Sequence, residues 1–257
     1  MMVILLCAGF ATRMYPLTVN FPKPLLPVAD KPVIDYLIDQ IVLIPDVECI
    51  HLVTNAKFFA HFDRWRQSRP NRPQSNHPKI VIHNDGASTP ENRLGACADL
   101  QLVLRRMSSP GPMLVSAGDN IYLFDLKDLW ARFLSDTHHR IVALAEGDEK
   151  NLKNSGVPIF GKKERVKRLL EKPTRPPSGW LCPPLYFLKP SARNVLDAFL
   201  ESCGPVDAPG YFIDYLCRKE AVSAFKLDAR RLDIGSTATY RDADRLLQAL
   251  PRGNGRI

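Results

Sequence analysis

The stretch Val3-Ile-Leu-Leu6-Cys-Ala-Gly9-Phe-Ala-Thr-Arg13 decides the fold. Its first four residues are an unbroken apolar run, which reads as a strand buried on both faces. Gly9 then turns the chain, and small residues lead to a single Arg. Further on, Val33, Ile34, Leu37, Ile38, Ile41 and Val42 recur at helical spacing, with Asp30 as the candidate cap just upstream. A buried strand, a tight turn and an amphipathic helix are the beginning of a βαβ unit.

The alternation continues through the first part of the chain. Strands are expected at Cys49 to Thr54, Ile80 to His83, Met113 to Ala117 and Ile141 to Ala145. Helices are expected between them, at Lys57 to Gln67, Gly95 to Met107 and Leu126 to Leu134. The later part is more mixed. Val157 to Phe160 and Val166 to Leu170 read as strands joined by the charged turn at 161–164. Leu181 to Leu188 reads as a Pro-interrupted strand and Val222 to Leu227 as a further strand. Ser191 to Leu200, Tyr211 to Glu220 and Thr237 to Leu250 read as helices. The fold class is therefore α/β: a Rossmann-like, mainly parallel mixed sheet flanked by helices.

Composition narrows the function. Apolar content of 45% and charged content of 24% over 257 residues exclude a disordered chain, a collagen and a coiled coil. With 35 basic and 27 acidic residues the formal charge is +8, which draws anionic substrates. No apolar run nears the ~18 residues of a membrane helix, so no membrane partner is expected. The apolar N-terminus lacks a basic leader, so it is not read as a signal peptide. Cysteines at 7, 49, 97, 182, 203 and 217 form no C-x-x-C pair; they read as reduced thiols of a cytoplasmic protein. Arg64, Arg66, Arg69 and Arg72 could form a nucleic-acid patch, but the preferred reading is a solvated basic loop, so nucleic acid is not an expected partner. Phe58, Phe59, Phe62 and Trp65 read as packing, and His138-His139 as an exposed helix end.

In open parallel sheets, ligands bind beyond the carboxyl ends of the strands. The polar residues there are Arg13 after the first strand, Gly118-Asp119-Asn120, Glu171-Lys172-Pro173, and Asp233-Ile234-Gly235-Ser236. Cations suit phosphate oxygens and a pair of carboxylates suits Mg2+. P-loop and dinucleotide glycine motifs are absent, as are zinc-protease and serine-hydrolase motifs.

Leu6-Cys-Ala-Gly-Phe-Ala-Thr-Arg-Met-Tyr-Pro-Leu-Thr18, then Phe21-Pro-Lys-Pro-Leu-Leu-Pro-Val28 and Lys31-Pro32, resembles the signature of the sugar-1-phosphate nucleotidyltransferases. Leu94-Gly95, Gly118-Asp119-Asn120, Glu171-Lys172-Pro173 and Asp233-Ile234-Gly235-Ser236 follow in family order, so the resemblance spans nearly the whole chain. It implies a nucleotide-diphospho-sugar transferase type of fold. One nucleotidyltransferase domain would cover residues 1–251, with a nucleotide-binding half of about 1–120, a sugar-binding half of about 121–251, and a tail at 252–257. The implied reaction transfers NMP from an NTP to a sugar 1-phosphate and releases pyrophosphate. The alternatives are a cytidylyltransferase acting on a non-sugar phosphate or phosphonate, and a catalytically silent regulatory relative.

The resemblance also implies roles. Arg13 and Lys23 would be catalytic cations on the phosphates. Leu6, Ala8, Gly9 and Gly95 would meet the nucleotide, with Glu91 or Asn92 at the base. Gly156, Glu171 and Lys172 would hold the sugar phosphate, and Asp119 and Asp233 would hold Mg2+. NTP and sugar 1-phosphate would be the small-molecule partners, and a homo-oligomer stays open. Two departures stand out: Ala11 occupies the place of the usual second glycine of the loop, and Cys7 stands where Ala is common.

Overall fold

The structure is a computed structural model that describes residues 1–69, 78–107, 111–204 and 206–249. In chain order it forms β1 (Met2–Leu6), β2 (Pro27–Val28), β3 (Lys31–Pro32), α1 (Val33–Ile41), β4 (Cys49–Thr54), α2 (Phe59–Ser68), β5 (Lys79–Asn84), α3 (Ala96–Arg105), β6 (Met113–Ala117) and β7 (Asn120–Tyr122). There follow α4 (Leu126–Leu134), β8 (His139–Ala145), α5 (Glu149–Lys153), β9 (Gly156–Phe160), β10 (Val166–Glu171), β11 (Trp180–Leu181), β12 (Leu185–Leu188), α6 (Ala192–Cys203), α7 (Gly210–Lys219), β13 (Val222–Leu227), β14 (Arg231–Asp233) and α8 (Thr237–Ala249).

One eight-stranded sheet organises the molecule. β5, β4, β1 and β6 lie side by side in parallel. β12 runs antiparallel between β6 and β8, β11 continues antiparallel along β8, and β13 pairs parallel with β8. The chain builds outward from β1 to β5 on one side, then returns to add β6 on the other. That reversal makes the carboxyl ends of β1 and β6 the topological switch point, where open α/β sheets bind ligands.

Alternation along β1 explains the two faces. Val3 and Leu5 pack with Ile34, Leu37 and Ile38 of α1, Phe62 of α2 and Phe133 of α4. Met2 and Ile4 pack with Leu100 and Val103 of α3, Leu196 of α6 and Phe212 of α7. The sheet is thus covered on both faces, as its unbroken apolar strands require. A smaller cluster seats Ala243 and Leu247 of α8 against Met14, Val28, Val33 and Tyr36.

Some expectations need correction. Asp30 does not cap α1: the N-cap is Pro32, without a side-chain hydrogen bond, and Asp30 has φ 64° in the turn between β2 and β3. His138-His139 is no exposed helix end. His139 begins β8, is 2% exposed, and its Nε2 lies 2.8 Å from Glu220 Oε2. The strand expected at Leu181 to Leu188 is two strands, split at Pro183 and Pro184, because proline cannot donate to a ladder. Phe58, Phe62 and Trp65 are buried as packing residues. In the basic stretch Arg66 pairs with Asp63, and Arg69 pairs with Asp35 while stacking on Trp65 at 5.2 Å. Arg72 and the tail at 252–257 lie outside the described residues. Among the described residues no helix is long and apolar enough to cross a membrane.

Candidate active site

The switch point is fixed by register. Leu6 stands opposite Ala117 on one side and Val53 on the other, so the loops after β1 and β6 leave the sheet together. Buried polar groups hold the first loop. Asn55, fully buried after β4, donates from Nδ2 to Ala8 O at 2.8 Å, and its Oδ1 accepts from Phe58 N at 2.9 Å. Thr18, also fully buried, donates to Ala11 O at 2.8 Å. Ala11 sits in the left-handed region, at φ 50° and ψ 42°. The glycine-to-alanine departure therefore falls on a position where a side chain is strained. Cys7 packs so tightly on Gly118 that a Cβ there would run into its Sγ.

These loops wall a cavity of about 510 Å3. Leu6, Ala8, Gly9, Arg13 and Lys23 line it from the N-terminal part of the chain, joined by Gly95 and Asp119. Gly156, Glu171 and Asp233 line it from the later part. The cavity brings together ten residues that sequence reading placed at the site, drawn from seven separate segments.

The acids meet through a two-stranded ladder that carries no sequence signal. β14 pairs antiparallel with β7, setting Asp233 opposite Asn120, while Ile234 N donates to Asp119 O at 3.3 Å. Residues 114 positions apart in sequence are thereby neighbours. Asp119 forms an ion pair with Lys23, and its Oδ1 accepts from Asn120 Nδ2 at 2.8 Å. Burial pushes the Asp119 carboxyl up, but the Lys23 ammonium and then Arg231 outweigh it and hold the group below the usual range. Arg231 donates to Asn120 Oδ1 at 2.6 Å and to Ser155 Oγ at 3.2 Å, and stands 3.9 Å from Asp233. Sequence reading missed Arg231 and Asn55 and gave Asn120 no role of its own within the Gly118-Asp119-Asn120 motif, since these roles appear only through the pairings. Arg13 makes no ion pair among the described residues, which leaves its charge for a ligand.

Among the described residues no group of three or more His, Cys, Asp and Glu side chains could hold an ion. Asp119 and Asp233 are hard oxygen donors, and Asp119 already attracts a cationic head. Mg2+ characteristically takes one or two carboxylates and completes its shell with water and substrate phosphate. The donor set fits that ion.

At the other end, Glu171 closes β10 beside Gly156, whose Cβ position would be 3.5 Å from Glu171 Oε2. Burial raises the Glu171 carboxyl, opposed by the charge of Lys172. Lys172 is exposed, sits at φ 48°, and donates its N–H to Ser155 O at 3.0 Å. It is not part of the cavity lining, although its charge is felt by Glu171 and by Asp207, which are.

Glu91 and Asn92 do not reach the cavity. Both are exposed, and Asn92 turns its Oδ1 inward on the N–H groups of Ser88 and Thr89, at 3.1 and 3.0 Å. Asp85, Asp99 and Arg93 line the cavity in their place. Gly95 has φ 89°, and a Cβ there would stand 2.6 Å from Val206 O. Only glycine allows α3 to begin that close to the segment before α7. Arg93 and Asp207 bridge the same gap through Nε–Oδ1 at 2.7 Å and Nη2–Oδ2 at 2.6 Å.

Residues 2–249 match the protein-family model described as "Nucleotidyl transferase". The chain is 27% identical over 245 residues to "Bifunctional protein GlmU" of Methanocaldococcus jannaschii, covering 95% of this chain and 53% of that protein. It thus spans about half the length of the first such relatives it matches. It is 25% identical over 252 residues to "UTP--glucose-1-phosphate uridylyltransferase AglF" of Haloferax volcanii, covering 96% of this chain and 97% of the relative. In structure it resembles a Bacillus anthracis protein assigned as a glucose-1-phosphate thymidylyltransferase, with a TM-score of 0.84, 18% identity, and coverage of 99% and 98% of the two chains. A UDP-glucose pyrophosphorylase complexed with UDP-glucose superposes with a TM-score of 0.79 at 18% identity, covering 96% and 97%. At these identities the structural likeness establishes the architecture alone.

Proposed function

The chain belongs to the nucleotidyl transferase family, and from that premise we propose that it transfers NMP from an NTP to a sugar 1-phosphate, releasing pyrophosphate. The observation that carries this reading is the convergence of Arg13, Lys23, Asp119 and Asp233 on one cavity that also holds Gly156 and Glu171. Cations and carboxylates at one end suit a triphosphate. Glycine backbone and a carboxylate at the other suit a sugar.

Two polyanions must be brought together for this reaction. Arg13 and Lys23 offset their repulsion and stabilise the charge that builds on the departing pyrophosphate. An oxygen of the sugar phosphate attacks the α-phosphorus, and the bond from that phosphorus to the bridging oxygen of the β-phosphate breaks. The attacking oxygen is already ionised, so no general base is required, in keeping with a cavity that no histidine among the described residues lines. Asp119 and Asp233 would hold Mg2+, which when bound would neutralise phosphate charge. Lys23 is positioned to exchange its ionic partner, Asp119, for a phosphate oxygen. Glu171 would accept from a sugar hydroxyl, and Lys172 at the rim would draw in the acceptor's phosphate. Residues 1–120 would form the nucleotide half and 121–251 the acceptor half, in a cytoplasmic protein.

Retention of all four charged groups at the cavity argues against a silent regulatory relative. The test is pyrophosphate release with Mg2+, crossing the common NTPs and dTTP with a panel of sugar 1-phosphates. Release that needs both one NTP and one sugar phosphate is the expected result. Release only with a non-sugar phosphate or phosphonate would move the acceptor class, and silence from folded protein would sink the reading.

A further inference from the structure

Among the described residues four cations line the cavity: Arg13, Lys23, Arg93 and Arg231. Three are accounted for. Arg13 and Lys23 serve the triphosphate, and Arg93 is spent on Asp207 and on Pro90 O at 2.6 Å. Arg231 has no task in the transfer. The acceptor's phosphate, in turn, has no cation inside the cavity, because Lys172 is exposed and lies outside the lining.

Arg231 begins β14, opposite Tyr122 of β7. Its side chain is 12% exposed. One arm of the guanidinium, Nη1, donates to Asn120 Oδ1 at 2.6 Å, and Asn120 donates in turn to Asp119. The other arm, Nη2, donates at 3.2 Å to the hydroxyl of Ser155, the residue before Gly156. The fork is therefore fixed between the carboxylates at the phosphate end and the glycine at the sugar end. Asp233 Oδ2, at 3.9 Å, attracts it but is beyond hydrogen-bond reach. A guanidinium carries five N–H groups, and these bonds use two of them. Nε has no hydrogen-bond partner among the described residues, and it is not sealed in the interior as Asp85 Oδ2 and Asp99 Oδ1 are. Since Arg231 lines the cavity, that open N–H is presented to it.

The reaction needs a cation at this place. The attacking oxygen belongs to the acceptor's phosphate, which must lie between the phosphorus it attacks and the sugar it carries. Arg231 spans that interval. A phosphate there would meet a permanently charged, planar fork, the donor geometry that suits its oxygens. Because Asn120 and Ser155 already hold the fork, little freedom is left to lose on binding. We propose that Arg231 binds the phosphate of the sugar 1-phosphate, with Lys172 acting only at the rim. The proposal rests on the nucleotidyl-transfer reading for the presence of an acceptor in this cavity.

Steady-state kinetics on Arg231→Gln, Arg231→Lys and Lys172→Ala tests it, with each substrate varied at saturation of the other. Arg231→Gln should raise the KM for sugar 1-phosphate about tenfold or more and leave the KM for NTP within about twofold. Arg231→Lys keeps the charge and loses the fork, so it should recover part of that loss. Lys172→Ala should cost less than Arg231→Gln. Equal rises in both KM values would make Arg231 a scaffold residue or a ligand of the NTP, and a larger effect at Lys172 would place the phosphate there; either overturns the proposal. A crystal structure of the unmodified chain with the sugar 1-phosphate needs no variant. Its phosphate should lie within hydrogen-bond reach of Arg231, and a phosphate out of that reach overturns the proposal even where the variants fail to fold. Release that proceeds with an unchanged acceptor KM in Arg231→Gln sinks this assignment alone. If no acceptor supports release, inorganic phosphate titrated into parent and Arg231→Gln separates the readings. Binding lost in the variant sinks the transfer reaction alone, and equal binding sinks both.

Discussion

The Glu171 carboxylate lies directly over the Cα of Gly210, so close that a Cβ on Gly210 would run into Oε2. Gly210 is the first residue of α7 and has no positive φ, so nothing in the backbone demands glycine there. The glycine serves the side chain of Glu171. Elsewhere in a helix, Gly→Ala is favourable by about 1 kcal/mol. Gly210→Ala should instead push Glu171 off Gly156. The expected outcome is a KM for sugar phosphate raised about tenfold, with the KM for NTP within about twofold and the melting temperature little changed. Equal rises in both KM values would detach Glu171 from the acceptor.

Lys23 and Asp119 make the corresponding argument at the phosphate end. Their side chains are 12% and 23% exposed, so the pair is shielded yet open to the cavity. Asp119→Ala leaves Lys23 a route to water and should leave the protein folded. Turnover should fall by about 100-fold or more, the scale at which a preorganised charge acts on a transition state. An active variant with unchanged metal dependence would remove Asp119 from the site. Lys23→Ala should also lower turnover while freeing Asp119 to hold a cation, so metal binding read by calorimetry should strengthen as activity falls.

Ala11 offers a test of strain. Its φ of 50° costs an alanine about 1 kcal/mol, and a β-branched residue more. Glycine relieves the strain but gains freedom in the unfolded chain, so the two effects offset. Ala11→Gly should therefore shift the urea-unfolding free energy by less than about 1 kcal/mol, whereas Ala11→Val should destabilise by about 2 kcal/mol. Equal stability of Ala11→Val and the parent would mean the loop does not hold this conformation in solution.

The strands and helices that built the sheet were legible because burial writes itself as periodicity. Val3 to Leu6 and the α1 stripe had to be apolar to sit where they do. The site was legible where it hangs on those elements, as with Arg13 after β1 and Asp119 after β6. It was illegible where it depends on pairing between distant short segments. β7 and β14 have three residues each, too few to show a period, yet their ladder sets Asp233 opposite Asn120. Glu91 and Asn92 were placed at the base only by the family resemblance. Sequence could not reveal that Asn92 is spent on its own turn, nor that Asp99, on what reads as a helix face, belongs to the cavity lining.

Asp99 also sets a pH dependence whose sign is fixed. Its ordinary value is 3.8, and in the folded chain burial and then the Asp85 charge raise it to about 8. A group raised on folding contributes stability that is fully present below its unfolded pKa and lost as pH rises through the folded one. The folded protein should therefore lose stability relative to Asp99→Asn as pH goes from about 4 to 8, at up to about 1.4 kcal/mol per pH unit. Asp85 titrates with Asp99, so the curve belongs to the pair. Most other titrating groups are common to both proteins and cancel in the difference. Urea midpoints for the parent and Asp99→Asn at pH 5, 6.5 and 8 measure it. The variant should gain steadily across that range, and a difference independent of pH would mean that Asp99 is ionised in the folded state and that the two carboxyls share no proton.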